Sequence, residues 1–82
     1  TLRGTIVAAR TLAAIGGVEG ARERRDAELL AVRATAAVLG NTPAVARRSY
    51  IDPRVFQRYA KGQLLDLTVS PEAAIRRLLN GS

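Results

Sequence analysis

Cysteine and histidine are both missing from this chain, as are methionine and tryptophan. Without cysteine there can be no disulfide framework and no thiolate nucleophile. Without either residue there is no raw material for the usual zinc sites or for a histidine general base. Aromatic side chains are scarce, with one phenylalanine and two tyrosines, and proline occurs three times. Eighteen apolar residues never run together, and no basic, apolar and small-residue leader opens the chain, so neither a membrane span nor a secretory signal is expected. The expectation is a cytoplasmic protein. Because the sequence starts at Thr1 rather than methionine, a segment of something longer is also expected.

Arginine is what the chain has in abundance. The 82 residues carry thirteen basic and seven acidic side chains for a net charge of +6, and all the basic residues but Lys61 are arginine. The guanidinium group matches phosphate oxygens better than any other side chain, so nucleic acid leads the possible partners; a compositional bias of the source genome is the alternative. Position helps to separate the two. The excess charge is +2 over residues 1–40, +4 over 41–61 and zero over 62–82. The positive field therefore gathers around Tyr50, either as a phosphate-neutralising surface or as an ordinary solvated face.

Length allows one domain with a marginal core, because a chain of this size buries only roughly 60% of its surface on folding. The periodicity is helical throughout. Leu2, Ile6, Ala9 and Ala13 suggest one apolar stripe, with Gly16 and Gly17 as its stop. A second helix is expected from about Ala21, with its apolar second half, Ala34 to Leu39, buried and Gly40-Asn41 ending it. Thr42-Pro43, Asp52-Pro53 and Ser70-Pro71 each read as an N-cap followed by proline in the first turn. They open helices over 44–49, from 53 to Lys61, and from 71 to the Asn80-Gly81 stop. The nearest approach to a strand is Leu67 to Val69, too short to argue for one. The prediction is an all-α chain of about five helices.

Hydroxyls are the available nucleophiles. Tyrosine can attack a phosphodiester covalently if its phenol is helped to lose a proton, and an arginine-rich setting suits that chemistry. Arg47 and Arg48 precede Ser49-Tyr50, and Arg54 follows. The structural alternative for Tyr50 is a half-buried ring whose hydroxyl caps a carbonyl. Tyr59, one turn beyond Phe56, reads as a packing residue.

The stretch from Leu39-Gly40-Asn41-Thr42-Pro43 through Ser49-Tyr50-Ile51-Asp52-Pro53 resembles the active-site tyrosine segment of bacterial and poxvirus-like type IB DNA topoisomerases. That family has leucine-glycine, histidine or asparagine, threonine-proline, then serine-tyrosine-isoleucine or valine, a variable residue and proline. The resemblance implies that Tyr50 is the nucleophile, leaving a 3′-phosphotyrosyl link and a free 5′-hydroxyl. It also implies that Asn41, nine residues earlier, hydrogen-bonds a non-bridging phosphate oxygen, a role that a rigid C-capping turn is compatible with. Arg47, Arg48 and Arg54 are the expected DNA contacts. The opening Thr1-Leu2-Arg3-Gly4-Thr5 also looks like the family, where a catalytic arginine would stand just before Thr1 and a further arginine and a lysine lie upstream. Residues 1–62 carry the likeness, and 63–82 form a helix without an assigned role.

The implied whole enzyme relaxes supercoiled DNA without cofactor or metal. These 82 residues alone, lacking the upstream arginines and lysine, are expected to be inactive. The expected partners are double-stranded DNA and the upstream part of the same enzyme, in a nucleoid-associated setting. Tyrosine recombinases share a leucine-glycine-histidine nine residues before their tyrosine but usually lack threonine-proline and the tyrosine-x-x-proline pattern. A non-enzymatic helix-turn-helix module, with the helix after Pro43 entering a groove, is the alternative from another class.

Overall fold

A computed structural model describes residues 2–65 and 70–80. Leu67 to Val69, Gly81 and Thr1 lie outside the described residues. The elements are α1 (Leu2–Ile15), α2 (Ala21–Leu39), α3 (Pro43–Val45), a π turn (Ala46–Tyr50), α4 (Arg54–Ala60) and α5 (Pro71–Leu79). Among the described residues there is no strand, so the chain is all-helical as expected.

Gly16 ends α1 in the left-handed region at φ 87°, its N–H still donating to the Leu12 carbonyl at 2.9 Å. The chain then reverses, and α1 and α2 form the most extensively packed pair of the fold. The buried face of α1 is Gly4, Thr5, Ala8, Ala9 and Leu12, not the stripe that periodicity suggested. Of that stripe only Ala9 is buried, Ile6 and Ala13 flank the core, and Leu2 is 51% exposed. The face is turned because glycine and alanine let neighbouring backbone approach closely, and the larger residues are left at its edges.

α2 corrects a second expectation. Its buried residues are Ala27, Ala31, Val32, Thr35 and Ala36, whereas Ala37 is exposed and Val38 is 50% exposed. The second half is therefore not wholly buried, because α1 and the π turn cover α2 along one side only. The Thr35 hydroxyl, fully buried, is satisfied by donating to the Ala31 carbonyl at 2.8 Å.

Gly40, at φ 69°, stops α2 in the left-handed region. Thr42 then caps α3 by accepting the Val45 N–H at 3.3 Å, with Pro43 in the first turn. The expected α-helix over 44–49 is replaced by the π turn from Ala46 onward. Such a turn accommodates one extra residue. It leaves Ala46 and Ile51 both buried while Arg47, Arg48 and Ser49 stay exposed.

At Asp52-Pro53 the helix starts one residue later than its grammar suggested. Pro53 precedes α4 rather than opening it, and the Asp52 carboxylate accepts the Arg54 N–H at 2.9 Å. Gly62, at φ 79°, supplies the stop. α5 begins as expected, with Ser70 accepting the Ala73 N–H at 3.3 Å. Ala74, Ile75 and Leu78 of α5 close the core against α1 and α4. The C-terminal carbonyl of Leu79 accepts from Arg58 Nη2 at 3.1 Å, a cation where the helix dipole favours one. The Cα radius of gyration, 11.5 Å, is that of a packed domain of this length, about 11.7 Å. Among the described residues no single helix is long and apolar enough to cross a membrane.

Candidate functional site

Tyr50 ends the π turn, and its backbone is held from the far end of the sequence. Gly4, in the first turn of α1, faces it directly. A Cβ built on Gly4 would overlap the Tyr50 carbonyl oxygen and stand 2.9 Å from the Tyr50 Cβ. One residue on, the buried Thr5 hydroxyl accepts the Asp52 N–H at 3.0 Å, a link across 47 positions. Ile51 lies extended between these two clamps, at φ −120° and ψ 126°, with its side chain in the core. Tyr50 as a residue is half-buried, and among the described residues its hydroxyl has no hydrogen-bond partner.

Tyr59 provides the contrast. It is 4% exposed, and its hydroxyl donates to the Gly16 carbonyl at 2.8 Å, tying α4 to the end of α1. Burial pushes its phenol above the ordinary tyrosine value, and the nearby Glu28 carboxylate adds to the effect. Tyr59 is a packing residue as expected, and its hydroxyl also caps a carbonyl, the structural role considered for Tyr50.

Asn41 sits in the turn between α2 and α3. Gly40 takes the left-handed position, so Asn41 is not itself the left-handed cap, and its N–H donates to the Ala36 carbonyl at 3.0 Å. Its backbone is fixed, while its exposed side-chain amide makes no hydrogen bond among the described residues.

The three arginines are not equivalent. Arg47 stacks its guanidinium 4.7 Å from the centroid of the Phe56 ring and lies 3.7 Å from a carboxylate oxygen of Glu28 on α2, an ion-pair approach longer than a hydrogen bond. Arg48 is exposed and unpaired among the described residues. With Ala44, Ile51, Pro53 and Phe56, these two line an open cleft of about 390 Å³. Arg54 lines a different cleft with Leu2, Thr5, Asp52 and Arg76. It forks onto Asp52, with Nη2 2.7 Å from Oδ2 and Nε 3.1 Å from Oδ1. That pairing holds the Asp52 carboxyl below the usual carboxylate range and raises Arg54 further. The fold therefore groups Arg47 with Arg48 and separates both from Arg54.

Compared with models of known protein families and with curated proteins, the chain matches none.

In the sequence, Gly4 and Thr5 stand out only through the family likeness, which assigns them no task. One signal was available: glycine inside a helix costs about 1 kcal/mol relative to alanine, which a close backbone approach can justify. Glu28 and Phe56, which orient Arg47, had no such signal.

Chemically, the arrangement offers a tyrosine on a clamped backbone and, nine residues earlier, an exposed amide, neither with a hydrogen-bond partner among the described residues, and a cleft lined by two guanidinium groups. These can neutralise and orient a phosphate group. The 103° bend between α2 and the segment Pro43–Tyr50 also has the geometry of a helix-turn-helix corner.

Proposed function

We propose that this chain is the tyrosine-bearing segment of a type IB DNA topoisomerase. The single observation that carries the reading is the division of labour between the tyrosines: Tyr59 is buried and bonded, whereas the Tyr50 hydroxyl has no partner among the described residues and its backbone is clamped at Gly4 and Thr5. A structural tyrosine has no need of that combination; a nucleophile does.

In the proposed reaction the Tyr50 oxygen attacks a backbone phosphorus, its proton leaving as the new bond forms. The bond to the 5′-oxygen breaks, giving a 3′-phosphotyrosyl link and a 5′-hydroxyl. The intact strand permits rotation, and attack by the 5′-hydroxyl on the same phosphorus reseals the duplex and returns the phenol. The phosphodiester energy stays in the covalent link, so no nucleotide is consumed. The Asn41 amide would donate to a non-bridging oxygen, and Arg47 and Arg48 would balance charge on flanking phosphates. Arg54, already occupied by Asp52, contributes less to DNA binding than the other two. A lysine to protonate the 5′-oxygen and two further arginines would come from residues preceding Thr1, so these 82 residues alone cleave DNA poorly. The setting proposed with this reading is the cytoplasm, on the nucleoid.

A second reading, a non-enzymatic helix-turn-helix module, is favoured by the 103° corner and the three-residue turn Gly40-Asn41-Thr42. One experiment separates the two. The gene product extended upstream of Thr1 is incubated with a nicked suicide DNA substrate, without metal or ATP, beside its Tyr50→Phe variant. A denaturant-stable adduct through the 3′-phosphate, lost in the variant, is the expected result. Equal non-covalent binding by both proteins with no adduct from either overturns it in favour of the binding module.

A further inference from the structure

α2 has one side that none of the described residues covers, and its pattern is specific. Leu29 is 43% and Leu30 is 53% exposed, and together with Asp26 and Arg33 they line a shallow hollow of about 250 Å³. The spacing of these four residues, i, i+3, i+4 and i+7, is that of the hole which receives one side chain of a facing helix in knobs-into-holes packing. Neither Asp26 nor Arg33 has an ion-pair partner among the described residues.

We propose that this face binds the same face of a second copy of the chain, the two α2 helices packing antiparallel about a two-fold axis between Leu29 and Leu30. In that register Leu29 of one copy lies opposite Leu30 of the other, and each Asp26 lies opposite an Arg33, twice over. An isologous contact requires this kind of self-complementarity, each residue meeting its counterpart's partner. The parallel alternative in register sets Asp26 on Asp26 and Arg33 on Arg33, which repel. The positions flanking the antiparallel seam are compatible too: Arg25 meets Ala34 and Arg22 meets Ala37, with no like charges opposed. The exposed Ala37 also allows the helix axes to approach closely. With only two leucines from each copy at its centre, the contact is a weak one.

Sedimentation equilibrium of the 82-residue chain, up to about 1 mM, a concentration at which even weak contacts are populated, tests this directly. The weight-average mass is expected to rise from 8.7 kDa toward twice that value. Leu30→Arg is expected to abolish the rise. Asp26→Arg and Arg33→Asp should each weaken association about tenfold, since each reversal turns two attractive pairs into two repulsive ones, and the double variant should restore it. Helicity by circular dichroism checks that every variant is folded. A wild-type chain that stays monomeric throughout, association indifferent to the charge reversals, or a folded double variant that fails to recover would each overturn the proposal.

Discussion

The α-carbon of Gly4 rests against the carbonyl of Tyr50, closer than any side chain would allow. The first turn of α1 and the last residue of the π turn are therefore fitted to each other, and the glycine is a packing requirement. Gly4→Ala should destabilise the fold by about 2 kcal/mol, the overlap with backbone outweighing about 1 kcal/mol of gained helix propensity. Gly17→Ala, where a Cβ would meet nothing within 4 Å, is the control and should be close to neutral in chemical denaturation.

Thr5 supplies the companion tie. Thr5→Val keeps the shape of the side chain but removes the acceptor of the Asp52 N–H, at a cost of about 1–3 kcal/mol; Thr5→Ser should retain most of the stability. A larger loss in Thr5→Ser than in Thr5→Val, measured by urea unfolding, would show that packing of the methyl group matters more than the hydrogen bond.

The two tyrosines should respond oppositely to loss of their hydroxyls. Tyr59→Phe gives up the bond to the Gly16 carbonyl and should cost about 1 kcal/mol, whereas Tyr50→Phe should leave the thermal midpoint nearly unchanged. Activity is expected to divide the other way, with Tyr50 required for covalent attachment and Tyr59 dispensable once stability is restored.

Alkaline pH gives Tyr59 a second signature. Its phenol is raised in the folded state, so above the ordinary tyrosine value near 10 the unfolded chain releases a proton that the native chain retains. This contribution to stability is complete below about pH 10 and declines as the pH rises further. The stability advantage of the wild type over Tyr59→Phe should shrink across that range. In the Tyr50→Phe background, an ultraviolet titration should show the remaining phenol ionising above 10.

Asp52 works at the acid end. Its carboxyl is lowered chiefly by the hydrogen bonds from Arg54, so the folded state holds the charged form more strongly than the unfolded chain does. That contribution is present above the unfolded value, near 3.9, and is lost as the pH falls through the lower folded value. Asp52→Asn should remove this part of the acid dependence, measured as the unfolding midpoint from pH 5 downward.

What could be read from the sequence was local. Thr42-Pro43 and Ser70-Pro71 open α3 and α5 as their cap-and-proline grammar requires, and Gly16 and Gly40 close α1 and α2, because each signal acts within one turn of chain. Asp52-Pro53 shows the limit: the carboxylate caps the right segment, yet the helix begins one residue later. The buried face of α1 departs from the apolar stripe because close packing on α2 and, at Gly4, on the π turn, rather than periodicity, decides which side of a helix bearing Gly4 and Ala8 goes inward. The π turn has no short-range signature at all. Within the candidate site, Tyr50 and Asn41 could be picked out by likeness to a family. The separation of Arg54 from Arg47 and Arg48 depends on how the extended Ile51 leads the chain away, and no spacing encodes that.

The tie between Thr5 and Asp52 also links local opening to the tyrosine loop. The first turn of α1 holds no acidic residue to complement the dipole, and Arg3 opposes it. When that turn frays, the Asp52 amide loses its acceptor although the helices behind it remain folded. Solvent exchange of this one hydrogen thus reports how often the loop is released. Its rate is expected to follow the first turn of α1, 47 residues away in the chain, rather than the loop's own sequence.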